Sequence, residues 1–134
     1  MIRGKAPRKL KTVLFIDDEL PWLEALKLAV DGQSFKVVTA ENGEEALMQL
    51  HRQRPDLIVS DVRMPAMNGF DLFEKVRSDP KLQSVPYVFM SSLDDFDAKR
   101  TAKQLGADDY IARPLEIEEV KRVVLDLLLR FRRR

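Results

Sequence analysis

Three carboxylates, a hydroxyl and a guanidinium each follow a short apolar run: Asp17 and Asp18 after TVLFI, Asp61 after LIVS, Ser91 after YVFM and Arg113 just after YIA. If those runs are strands of one parallel sheet, the five groups converge where such sheets bind ligands, outside the carboxyl ends of the strands. Crowded carboxylates repel and raise one another's pKa unless a cation intervenes. Mg²⁺ suits that setting, because it takes oxygen ligands and is typically held by one or two carboxylates together with phosphate oxygens. The chemistry implied is attack on a phosphoryl group by an Asp carboxylate, giving an aspartyl phosphate. Asp61, alone at the tip of its run, is the expected nucleophile, and the Asp17–Asp18 pair the expected metal clamp. Ser91 can donate to a phosphoryl oxygen and Arg113 can pair with its charge.

The elements that must position these groups alternate regularly. Strands are expected at residues 12–16, 35–40, 57–60, 87–91 and 110–112, rich in Val, Ile, Leu and Phe as doubly covered parallel strands are. Helical patterns separate them at 21–32, with Pro21 at the start and Gly32 as the stop, and at 43–54 and 69–79, each halted before a proline. The fourth spans 94–106, with acids in its first turn and Gly106 at a left-handed cap, and the fifth runs from about Glu116 to the end. Five βα units imply an α/β fold: a doubly wound five-stranded parallel sheet with five helices, for which the flavodoxin-like order 2-1-3-4-5 fits. That order makes the first and third strands neighbours and brings Asp17, Asp18 and Asp61 together. A nucleotide site is disfavoured, because the first turn reads DDELPW, without phosphate-cradling glycines.

Length and composition set the outer bounds. The 134 residues suffice for one core, and 45% hydrophobic with 34% charged residues is ordinary for a soluble domain. Without Cys there is no disulfide or thiolate chemistry, which suits a cytoplasmic location, and neither a membrane span nor a signal peptide is expected. The net charge of +1 hides a polarised layout. Residues 1–11 form a basic N-terminal tail, residues 130–134 a basic C-terminal tail or the start of a linker, and the domain at 12–129 has 14 bases against 22 acids. The tails read as solvated segments, and nucleic acid is not an expected partner of this domain alone.

The segments 15-FIDDE-19, 56-DLIVSDVRMPAMNGFDL-72, 86-PYVFMSS-92 and 106-GADDYIARP-114 resemble, in order and spacing, the four motifs of two-component response-regulator receiver domains. The resemblance covers about residues 12–130. It implies a non-enzymatic, Mg²⁺-dependent phosphoacceptor in which Asp61 takes the phosphoryl group from a histidine kinase or histidine phosphotransfer protein. It also implies Asp18 as a direct metal ligand, Asp17 acting mainly through water, and the backbone carbonyl of Arg63 completing the protein ligands. Ser91 would be the switch hydroxyl, Tyr110 the aromatic rotor coupled to it, and Arg113–Pro114 a cis peptide. The fourth helix, fifth strand and fifth helix would form the output face, open to homodimerisation or to a downstream effector.

One position departs from the family pattern: Arg113 stands where Lys is usual, and a planar fork does not replace a compact ammonium conservatively. It favours the alternative of a phosphorylation-independent interaction module, in which Arg113 only neutralises Asp61. His51, inside the second helix, reads as a surface residue, Trp22 as packing beside the acidic pair, Asn68–Gly69 as a turn, and Asp108 and Asp109 as loop caps. On the last helix Ile117, Val120, Val124, Leu127 and Phe131 form a docking seam, while Val123, Leu125 and Leu129 add apolar surface beyond it.

Overall fold

The computed structural model describes residues 10–113 and 115–132. The expected cis peptide falls on Pro114, and most of the basic N-terminal tail on residues 1–9, outside the described residues. Ten elements alternate along the chain: β1 (Thr12–Ile16), α1 (Leu20–Val30), β2 (Lys36–Ala40), α2 (Gly43–Arg52), β3 (Leu57–Asp61), α3 (Gly69–Ser78), β4 (Tyr87–Ser92), α4 (Phe96–Leu105), β5 (Asp109–Arg113) and α5 (Ile117–Arg130). All strand pairs are parallel, in the order β2-β1-β3-β4-β5.

The period-two alternation of side chains divides the core between the two faces of the sheet. Leu14, Ile16, Ile58, Tyr87 and Phe89 pack with Leu50 of α2, Leu72 and Val76 of α3 and Ala98 and Ala102 of α4. Val13, Phe15, Val59, Val88 and Met90 pack with Leu23 and Leu26 of α1 and Val120, Val124 and Leu127 of α5. Both faces are covered, which is why the strands read as near-continuous apolar runs rather than alternating ones.

Element ends differ from expectation where side chains cap the backbone. Asp95 accepts from the Ala98 amide at 3.1 Å, so α4 begins at Phe96 and not at Asp94. Phe35 is fully buried but makes only an isolated bridge with Asp31, and β2 begins at Lys36. Helix α1 stops at Val30, two residues before Gly32. Asp109 lies inside β5, while Asp108 is no solvated cap: its carboxylate accepts from the Tyr87 amide at 2.8 Å and pairs with Arg77 at 3.0 Å.

Gly69, expected only to mark a turn, does more. A Cβ built on it would lie 2.3 Å from the Asp61 carbonyl oxygen, so α3 starts pressed against the tip of β3. Tyr87, fully buried, donates its hydroxyl to the Gly69 carbonyl at 2.9 Å and holds that junction from below. Gly69→Ala is therefore expected to destabilise the domain by about 1–3 kcal/mol, the range for overpacking a rigid contact. Urea unfolding measures it, and an unchanged midpoint would mean the junction yields freely.

At the opposite pole, Lys11 and Arg54 line a small cavity of about 70 Å³ together with Asp56, Phe131 and Arg132, so the two described ends of the chain meet there. No helix among the described residues is long and apolar enough to cross a membrane.

Candidate functional site

The β1–β3 and β3–β4 pairings set the carboxylates side by side. Ile16 is in register with Ser60, and Asp61 with Met90, so the residues that follow β1 and end β3 emerge on one edge. Carboxylate oxygens of Asp17, Asp18 and Asp61 lie within 4.8 Å of one another. Asp17 is fully buried, Asp61 nearly so, and Asp18 is exposed. An open cleft of about 530 Å³ is lined by Asp18, Asp61, Arg63, Ser91, Asp95 and Arg113, among others. The expected groups thus come together, with Tyr110 half-buried on β5 behind Ser91.

Burial without full compensation governs the electrostatics. Desolvation, reinforced by the neighbouring Asp17 charge, pushes the Asp61 carboxyl up to about 7. Desolvation likewise raises Asp17, against the opposing pull of the Glu19 amide, which donates to its Oδ1 at 2.8 Å, and of Arg113. Both shifts arise first from taking the carboxylates out of water, with neighbouring carboxylates adding in the same direction. An oxygen-lined, anionic pocket of this kind fits a hard divalent cation, and the family's Mg²⁺ matches the donor set.

Arg113 lies where a sequence alone does not place it. Its guanidinium pairs with Asp17 through Nη2 and with Glu19 through Nη1 at 3.3 Å, and makes no hydrogen bond to Asp61. The ring of Trp22 lies beneath it, 5.1 Å from the guanidinium carbon, and meets Phe15 edge-on at 6.4 Å. Its Nε is buried without a hydrogen-bond partner among the described residues. Trp22 is thus a packing residue, as expected, and also a platform for the cation beside the site.

Two side chains of this cleft had no role in the sequence reading. Arg63, expected to contribute only its backbone carbonyl, forms a two-pronged ion pair with Asp95, Nε–Oδ2 and Nη2–Oδ1 both at 2.9 Å. The Ser91 hydroxyl donates to the same carboxylate at 3.0 Å. Arg63 above all, with help from the Ala98 amide and Ser91, holds the Asp95 carboxyl well below the usual range. The Tyr110 hydroxyl is buried with no hydrogen-bond partner among the described residues, and burial pushes its pKa up. Arg63 and Asp95 are 32 positions apart, and no local pattern could have announced the pair.

His51 lies in the last turn of α2, remote from these groups, and is exposed. The outer residues of α5 are mixed: Leu129 is 62% exposed, whereas Val123 and Leu125 are half-buried against the α1 side of the core.

The same arrangement recurs among known proteins. RcaC of Microchaete diplosiphon is 36% identical over 120 residues, which cover 90% of this chain and 18% of RcaC. Response regulator GtcR of Aneurinibacillus migulanus is 34% identical over 118 residues, 87% of this chain and 48% of GtcR. The chain therefore spans less than half the length of these curated relatives. Among solved structures, the chemotaxis protein CheY4 of Vibrio cholerae superposes with a TM-score of 0.79 at 26% identity, covering 87% of this chain and 98% of that one. The receiver domain of the Francisella response regulator 1452 superposes at 0.77 with 28% identity, covering 90% and 98%. The family model described as the response regulator receiver domain matches residues 13–125, and with the five parallel strands in the order 2-1-3-4-5 this places the chain in the response-regulator receiver domain family of two-component signalling systems.

Proposed function

We propose that Asp61 is the phosphoacceptor of this receiver domain, taking its phosphoryl group from the phosphohistidine of a histidine kinase or phosphotransfer protein. The observation that carries this reading is a nearly buried carboxylate at the tip of β3, raised to about 7 and within 4.8 Å of two further carboxylates, in an open cleft. In its ionised form an Asp61 oxygen attacks phosphorus. The O–P bond forms as the donor's P–N bond breaks, and the electron pair returns to the donor imidazole, which takes a proton. Asp17, Asp18, Asp61 and the Arg63 carbonyl would hold Mg²⁺. Once bound, it would neutralise charge on the transferring phosphoryl oxygens and favour the ionised, nucleophilic form of Asp61. Ser91 donates to one phosphoryl oxygen, and Arg113, which lines the cleft, supplies positive charge to another. The domain is a switch rather than a turnover enzyme. Its product state repopulates conformations of α4, β5 and α5, through which a second copy or an effector would read it.

Mg²⁺ with acetyl phosphate or beryllofluoride should modify the wild type on Asp61, located by mass spectrometry. Asp18→Ala should fold normally, bind Mg²⁺ more weakly and be labelled more slowly, since it loses an exposed ligand and no packing. Labelling at another residue would refute the assignment, and absence of any labelling would favour the phosphorylation-independent interaction module for which Arg113 is the motive. Sedimentation of the beryllofluoride form tests the output: a doubled mass supports a homodimer through α4 and α5, an unchanged mass a different partner.

A further inference from the structure

The Ser91 side chain has one proton to donate. Here it goes to Asp95 Oδ2, not towards Asp61. The same carboxylate accepts from Arg63 at both oxygens and from the Ala98 amide at 3.1 Å, which closes the first turn of α4. One side chain therefore ties together three places: the loop after β3 through Arg63, the end of β4 through Ser91, and the start of α4. Ser91 is almost fully buried, so its hydroxyl has little bulk water to turn to in place of this partner. The Tyr110 hydroxyl is buried without a hydrogen-bond partner among the described residues.

We propose that Asp95 is a positioning residue acting through Ser91, a latch that holds the hydroxyl in the unphosphorylated arrangement and ties its release to the N-terminus of α4. The inference rests on the phosphoacceptor reading of Asp61 and adds its regulation. Ser91 and Asp61 line one cleft, and a hydroxyl with one proton cannot donate to Asp95 and to a phosphoryl oxygen at once. Every phosphoryl contact by Ser91 therefore requires the Asp95 bond to break. Arg63 sets the strength of that bond from the far side, since its two prongs fix the carboxylate where Ser91 meets it. Loss of the Ser91 bond leaves the helix cap on Oδ1 in place, so α4 is released to move rather than unfolded.

The test is a Mg²⁺–beryllofluoride titration of the whole chain, followed by Trp22 fluorescence, on wild type, Asp95→Ser, Ser91→Ala and the double variant. Serine preserves an N-cap but not the reach to Ser91. Asp95→Ser is expected to bind beryllofluoride tighter by on the order of five- to tenfold, the worth of one released hydrogen bond. In the Ser91→Ala background the same substitution should change nothing, because the latch then has nothing to hold. A tightening of equal size in both backgrounds would overturn the latch and point to the freed Arg63 as a direct phosphoryl partner. Unchanged or weakened affinity in Asp95→Ser would overturn it too. Should Asp95→Ser melt before the titration, Asp95→Asn, which caps equally well but loses the ionic grip of Arg63, must show a smaller tightening that again vanishes with Ser91→Ala. A wild type that binds no beryllofluoride overturns the phosphoacceptor reading and the latch with it.

Discussion

Replacing Asp61 with Asn is expected to abolish phosphoryl labelling and, in metal-free buffer near pH 8, to stabilise the domain by on the order of 2–4 kcal/mol. The amide cannot form an acyl phosphate, which accounts for the first effect. The second follows from the raised carboxyl. A group shifted from 3.8 to about 7 on folding prefers its protonated form in the native state. Its stability contribution is complete below about pH 4 and is lost as pH rises through about 7. Wild type without metal should therefore weaken between pH 4 and pH 8, with Asp17, raised by burial, adding in the same direction. Asp95 has the opposite sign: its carboxyl is depressed, so its contribution is present above the usual carboxylate range and lost as pH falls below it. Stability should consequently peak in mildly acid solution, move towards neutral pH when Mg²⁺ is added, and lose most of its neutral-range slope in Asp61→Asn. Urea unfolding across pH, with EDTA or with Mg²⁺, checks each part, and a metal-free wild type that strengthens from pH 5 to pH 8 would contradict the burial argument.

Arg113→Ala should produce the other large effect, with opposite signs for folding and for metal binding. Asp17 is fully buried and Arg113 is its ionic partner, so truncation leaves a buried carboxylate facing two others. Removing one member of a buried pair typically costs about 3–5 kcal/mol, and the raised Asp17 carboxyl, which can take up a proton, reduces that towards about 2. Mg²⁺ affinity should rise, because a tethered cation no longer competes for Asp17. Wild type and variant melting temperatures should then converge as Mg²⁺ increases. Arg113→Lys keeps the charge but not the fork or the flat face over Trp22, so its stability should fall between the two. Calorimetric Mg²⁺ titration and thermal melts of the three proteins decide the matter: an alanine variant that binds Mg²⁺ more weakly than wild type would show that Arg113 assists the metal instead of competing with it. Trp22 emission should shift on truncation, as the stacked cation leaves the ring.

The sheet and the acidic cluster were legible because both follow from short-range rules. Short apolar runs separated by amphipathic segments permit few right-handed parallel topologies, and strand ends in register carry Asp17, Asp18 and Asp61 together wherever the side chains point. Ser91 was legible as a hydroxyl at a strand end, not as a donor to Asp95. What remained hidden depends on the reach of long side chains. Arg113 can extend towards Asp61 or Asp17, and the choice falls to the Trp22 face and Glu19. The pairing of Arg63 with Asp95 appears only when folding brings their loops together, and Asp108 reads as a loop acid until β4 offers it the Tyr87 amide. Gly69 carried a turn signal, while the near-contact with the Asp61 carbonyl that forbids a side chain there is a property of two elements and not of one.

The meeting of Lys11 and Arg132 around one small cavity, at the pole away from the carboxylates, makes the fold nearly a closed ring. A short polar bridge from residue 132 to residue 11, replacing whatever lies outside them, would join the two described ends, and the chain could be reopened at the exposed Leu93–Asp94 turn between β4 and α4. Such a circular permutant would carry its new termini beside the cleft, so that a pair of fluorescent proteins fused there would sense Asp61 across one turn of backbone. A fusion at residue 11 or 132 must instead be reached through the full length of the sheet, roughly 15 Å of strand. Topology thus assigns the near pole to detection and the far pole to the bridge.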